Sequence, residues 1–238
     1  MPSSITLRRA YAIVAAESNH PMNAATLILL GLMLFGAAIG FYSRKNLELP
    51  VLKLFPYFLL FQFAYQLAAS LYSFVFTDHA SNHFIFNLAL PVNILYFGML
   101  YHGIIRNPAK RKLIFVGTAL NLIFFVINLL FIQEISFLMT YSRTAMSVSL
   151  IVYSLLYFHE IVTDDYIENI NPVRNASFWI ITSIFFFYLS STLTIIFWNY
   201  FVVNNEYVGS VMMRVFAFLL YSMYIAGMLL HRSTDGDS

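Results

Sequence analysis

AATLILLGLMLFGAAIGFYS, residues Ala24–Ser43, runs for 20 positions without a charged side chain. An α-helix rises ~1.5 Å per residue, so about 20 apolar residues cross the ~30 Å hydrocarbon layer of a bilayer. In water such a helix would expose apolar surface on every side, because its few polar residues form no hydrophilic face. The segment therefore reads as a transmembrane helix. Outward from it the pattern recurs at Leu52–Phe76, His83–Ile105, Leu113–Ile132, Phe137–Val162, Phe178–Val203 and Val211–His231, each bounded by polar or charged residues, several of them by Pro or Asn. Backbone groups surrounded by lipid must find partners within their own segment, which selects helices. A β-barrel would instead show alternating segments of ~10 residues, and the sequence has none. The expected fold is all-α: a polytopic seven-transmembrane-helix bundle over residues 24–231, with an N-terminal tail (1–23) and a cytoplasmic C-terminal tail (232–238).

Composition agrees with that class. Hydrophobic residues make up 60% of the chain, aromatics 18% and charged residues 10%, against roughly 25% charged in an ordinary soluble domain. So few charges cannot cover the surface of a soluble protein, and the expected solvent is the lipid bilayer. A formal net charge of +2 is too small to argue for a nucleic-acid partner. The absence of cysteine excludes disulfides, thiolate metal sites, cysteine nucleophiles and iron–sulfur ligation.

The cations set an expected orientation. Arg44, Lys45 and Lys53 follow the first apolar run, Arg106, Lys110, Arg111 and Lys112 the third, Arg174 the fifth and Arg232 the seventh. The connections after the second, fourth and sixth runs carry neither Lys nor Arg. Cytoplasmic loops retain these residues, so the reading is N-terminus out and C-terminus in. Trp179 and Trp198 stand near opposite ends of the sixth run, ~28 Å apart on a helix, the spacing of two interfacial aromatic belts. Arg8 and Arg9 ahead of Ala10–Ala16 have the outline of a short signal peptide. Residues 1–23 read better as a tail, and Met22 is an alternative initiator.

Polar residues recur at helical spacing in runs two to seven: Gln62, Gln66 and Ser73; Asn87, Pro91, Gly98 and His102; Asn121 and Asn128; Arg143, Ser147 and Ser154; Ser183, Ser190 and Thr194; Arg214 and Tyr221. Positions i, i+4, i+7 and i+11 share a helix face, so a moderately polar interior is expected. Interhelical hydrogen bonding, worth ~1 kcal/mol per contact, explains such stripes without any pocket. Gly36 and Gly40 stand at GxxxG spacing and read as a close-packing face within the bundle.

Arg143 and Arg214 lie just inside the outer ends of runs five and seven. A guanidinium there must snorkel, pair or line a wet cavity, and Glu134 and Glu206 are the nearest acids able to pair. Two arginines facing one cavity suit an anionic ligand through bidentate bonds, with Gln66, Asn87 and Asn199 orienting it. Asp78, His79 and His83 form DHxxxH at the same end, with two histidines at metal-ligand spacing; an ordinary polar helix end is the simpler explanation for them. His102, His159 and His231 read as interfacial histidines at the other end.

Several chemistries lack their signatures. Every lysine sits at the basic edge, so no mid-membrane lysine is available for a retinal Schiff base. No carboxylate lies near a helix midpoint, as proton- or sodium-coupled carriers usually require. Phosphate-loop, HExxH and GxSxG motifs are absent. The segment from His83-Phe-Ile-Phe-Asn87 through Leu90-Pro-Val-Asn-Ile-Leu-Tyr-Phe97 resembles small, uncharacterised bacterial seven-helix integral membrane proteins. That resemblance implies a bacterial inner membrane and assigns no functional residue. Alkaline ceramidases also have seven helices, but their HxxxH in the last helix is missing here, where His231 stands alone.

The expected function is a receptor- or sensor-like ligand-binding module for a small or lipidic, anionic molecule. It would need no cofactor and would signal through a separate cytoplasmic or membrane partner. The alternatives are an intramembrane metal-dependent lipid hydrolase, with zinc on Asp78, His79 and His83, and a facilitator or exporter of small solutes. A structural subunit of a membrane complex is a further alternative.

Overall fold

The computed structural model describes residues 24–47, 49–75, 82–163, 175–197 and 208–230. Seven helices are long and apolar enough to cross a membrane: α1 (Ala24–Ser43), α2 (Pro50–Val75), α3 (His83–Ile104), α4 (Pro108–Ile132), α5 (Thr140–Thr163), α6 (Ala176–Ile196) and α7 (Val208–Leu230). No strand occurs among the described residues. The expected all-α seven-helix membrane bundle is the observed fold.

Each helix packs on its neighbours in sequence, and α7 returns to α1, so the bundle closes into a ring; α3 also packs on α5. That extra contact makes α3 the central helix. Over its most apolar stretch 56% of residues are buried, whereas α4 buries 17% and turns the rest outward. The exposed side chains of α4, such as Phe115, Leu120, Ile123 and Phe131, suit contact with lipid tails. Sequence order and antiparallel packing bring Arg44, Lys45, Lys53, Arg106, Lys110, Arg111 and Lys112 to one end, called here the basic end.

Two boundaries differ from the sequence reading, each for a local reason. Helix α4 begins at Pro108, five residues before Leu113, because Asn107 caps it: its Oδ1 accepts from the backbone N–H groups of Ala109 (3.0 Å) and Lys110 (3.3 Å). Proline at the first helical position loses no hydrogen bond, so the cations expected in a loop become the first turns of the helix. Helix α5 begins at Thr140 rather than Phe137, because the preceding residues are held as a turn by Asn87.

Small residues set the spacing of the ring. A side chain at Gly40 would meet Pro56 Cγ of α2 at 2.8 Å and Met228 Sδ of α7 at 3.0 Å; one at Gly36 would touch Leu59 and Ile225. The GxxxG face of α1 is therefore wedged between α2 and α7 within the chain. Elsewhere in the ring Gly98 admits Thr118 of α4, and Gly227 admits Trp179 of α6.

Candidate functional site

The end opposite the basic one is built around Asn87, in the second turn of α3 and fully buried. Its Nδ2 donates to the carbonyls of Ile135 (2.9 Å) and Phe137 (2.7 Å), and its Oδ1 accepts from the N–H of Met139 (3.2 Å). One carboxamide thus holds the α4–α5 turn against α3. Asn128 ties the same turn from its other side. It opens the π-helical last turn of α4, and its Nδ2 donates to Gln133 Oε1 (3.0 Å) and Ser142 Oγ (2.7 Å). Gln133 Oε1 also accepts from the N–H of Tyr141, and its Nε2 donates to Thr140 Oγ1. These bonds fix the first turn of α5. The expectation that Asn87 orients a ligand is corrected by this geometry, since its donors and acceptor are engaged in the turn.

The turn so fixed carries Arg143. The residue is half-buried, but its Nε and Nη2 atoms are sealed from solvent and have no hydrogen-bond partner among the described residues. These two nitrogens form one edge of the planar guanidinium, with parallel N–H groups, the fork that receives a carboxylate or phosphate edge. Arg143 lies near Tyr65 of α2, Tyr188 of α6 and His83 of α3. The expected pairing with Glu134 is not formed: that carboxylate is exposed and accepts from Ser136 Oγ at 3.3 Å. Glu206 lies outside the described residues.

Among the described residues the tyrosines near the guanidinium are neutral phenols tied to neutral amides. Tyr65 Oη donates to Gln62 Oε1 (2.7 Å), and Gln62 Nε2 donates to Asn93 Oδ1 (2.7 Å), joining α2 to α3 through buried amides. Tyr188 and Tyr221 are buried beside them and interact electrostatically with Tyr65. Aromatic rings complete the wall: Phe97 meets Tyr188 edge-on at 5.8 Å, and Phe86 meets Tyr65 edge-on at 5.9 Å. Among the described residues Arg143 is thus set near two phenols that are backed by amides and aromatic rings.

The other site residues read from the sequence fall into three groups. Arg214 is exposed on α7, and the helices that carry it and Arg143 share no extended contact. The structure does not bring the two arginines together. Gln66 is half-buried one turn beyond Gln62, and its carbonyl accepts from Ser70 Oγ. Asn199, Asp78 and His79 lie outside the described residues. His83, the first residue of α3, is half-buried. The guanidinium whose field acts on this imidazole would also repel a divalent cation bound there. Among the described residues no cluster of three or more His, Asp or Glu side chains has the arrangement of a metal site.

At the basic end the buried acid Glu160 of α5 has a structural task. Its Oε1 accepts from the N–H of Arg106 (2.7 Å), and its Oε2 lies 3.7 Å from Lys110 Nζ. Lys110 Nζ also donates to the Leu156 carbonyl and approaches His159 Nδ1 at 3.2 Å. The α3–α4 turn is thereby pinned to α5. A buried carboxylate is tolerated there because it receives both a backbone N–H and an ammonium.

Several polar stripes do join helices, as in Asn121 Nδ2 donating to Ser149 Oγ (2.8 Å) and Tyr101 Oη against Ser154 Oγ (2.5 Å). Tyr65, Asn93 and Tyr188 were missing from the sequence-based site. Tyr65 lies three residues from Gln62, on the same helical face, which was the available signal. No protein-family model, curated protein or solved structure matches the chain.

Proposed function

We propose that this chain is a receptor-like membrane module that binds a small or lipidic anion at Arg143, in the inner membrane of a bacterium. Its N-terminus faces out and its C-terminus in, so the Arg143 end opens outward and the basic end faces the cytoplasm and a separate signalling partner. The observation that carries this reading is the guanidinium edge, buried and without an acceptor among the described residues. Arginine does not lose its proton in proteins, and a buried charged donor without a partner costs more than the ~1–3 kcal/mol of a neutral one. An acceptor from outside the chain removes that penalty, and an anion removes it best.

Position supports the same reading. Asn87 and Asn128 clamp the turn that carries Arg143, so the cation is held on a rigid support, as a binding group requires. The hydrolase alternative gains nothing from His83, whose electrostatic neighbour is a cation. Native mass spectrometry of the purified chain tests the proposal. The wild type is expected to carry a bound organic anion that the Arg143→Met variant lacks. Identical spectra, with no adduct lost, would remove the basis for a receptor.

A further inference from the structure

We infer that the Arg143 site takes a singly charged carboxylate carried on an apolar body, in preference to a doubly charged phosphate. This inference rests on the anion-binding reading and narrows it to a chemical class.

The first argument is charge. Among the described residues Arg143 lies near the phenols of Tyr65 and Tyr188, and Tyr65 is in turn bonded to the neutral Gln62–Asn93 amide pair. The other arginine expected at this end, Arg214, is exposed on α7. His83 is the remaining titratable neighbour among the described residues. One buried positive charge balances one negative charge. A dianion would leave a net charge in the bundle, where desolvation is not repaid.

The second argument is shape. The unpaired atoms are Nε and Nη2, adjacent on one edge of the guanidinium. Two parallel N–H groups match the two oxygens of a carboxylate. The third oxygen of a phosphate dianion would need a further strong donor. The amide joined to Tyr65, that of Gln62, already donates through Nε2 to Asn93 Oδ1 at 2.7 Å, and the Tyr65 hydroxyl already donates to Gln62. The third argument is the wall. Phe86 and Phe97 stand edge-on to Tyr65 and Tyr188, the two tyrosines near Arg143, apolar surroundings that suit a hydrocarbon or aromatic body better than a hydrated ion.

The test uses the full-length chain in nanodiscs of zwitterionic lipid, with thermal midpoint and calorimetric titration as readouts. The probes are octanoate, octanamide, acetate and octyl phosphate, at about pH 8, where a phosphate monoester is doubly ionised. Octanoate is expected to raise the midpoint and to bind at least about tenfold more tightly than octyl phosphate, because the dianion leaves an unbalanced buried charge. Octanamide, which lacks the charge, is expected to give no shift. Acetate is expected to bind far more weakly than octanoate, because it leaves the aromatic wall uncovered.

Arg143→Lys keeps the charge and removes the fork, and is expected to weaken octanoate by at least about tenfold. Arg143→Met, which removes the charge and fills the space, serves as the folded control without an octanoate response. Octyl phosphate binding as well as octanoate would overturn the singly charged class and leave the anion site standing. Acetate matching octanoate would overturn the apolar body. Undiminished octanoate binding in Arg143→Lys would overturn the fork. No shift from any probe would overturn the anion-binding reading itself and point to water as the acceptor at Arg143.

Discussion

Replacing Arg143 by methionine should make the ligand-free protein more stable, an unusual direction for a buried position. The guanidinium presents two buried N–H donors without a partner, and each unsatisfied buried donor costs ~1–3 kcal/mol, more when it is charged. Methionine has a similar length and a flexible stem, so it fills the same space without polar atoms. Replacing buried ionic groups with apolar ones of similar volume often stabilises by ~1–4 kcal/mol. A gain of about 2–4 kcal/mol is expected here, and for a chain of this length each kcal/mol moves the midpoint by ~2–4 °C. The assay is thermal unfolding in nonionic detergent after exhaustive exchange to strip bound anions. A midpoint higher by roughly 5–15 °C in Arg143→Met supports the reasoning. A midpoint lower by several degrees would refute it, because Arg143 would then already hold a stabilising partner.

Asn87→Ala removes three hydrogen bonds from the α4–α5 turn and should destabilise by about 2–4 kcal/mol. It should also speed proteolysis within that turn, where a change confined to other loops would count against the clamp. Gly40→Val, forced against Pro56 and Met228, should cost about 1–3 kcal/mol by overpacking. Gly31→Ala, with nothing within 4 Å, should be neutral or slightly stabilising, and equal effects at the two glycines would contradict the α1 packing. Glu160→Ala removes the acceptor of the Arg106 N–H and the ion-pair partner of Lys110 and should lower stability by about 1–3 kcal/mol. A Glu160→Ala, Lys110→Met double change should recover part of that loss, and purely additive losses would show the pair to be uncoupled.

The span count was legible because it depends on a single energy, the transfer of some twenty residues from water to hydrocarbon, which no tertiary detail overrides. Helix ends were less legible where side chains decide them. The cap at Asn107 and the clamp from Asn87 move the starts of α4 and α5, and the second acts across 48–52 residues of sequence. Within the site, the prominence of Arg143 was readable from its place inside a helix. Its distinction from Arg214 was not, because it depends on which way each helix is rotated in the ring. The stripe rule failed for Asn93 for a related reason. Helix α3 is central and buries more than half of its apolar stretch, so Asn87 and Asn93 are both interior although they lie on different faces. Tyr65 and Tyr188 were hidden by composition, since 16 tyrosines give no reason to single out two.

A density map of the full-length chain, purified in lipid without detergent exchange, tests the account most directly at the Nε–Nη2 edge of Arg143. The account predicts a non-protein density there with two atoms at hydrogen-bond distance, ~2.8 Å from the two nitrogens, continuing between Phe86 and Phe97. A protein carboxylate, such as Glu206, seated on that edge would contradict it, because Arg143 would then be half of an internal ion pair and no ligand would be needed.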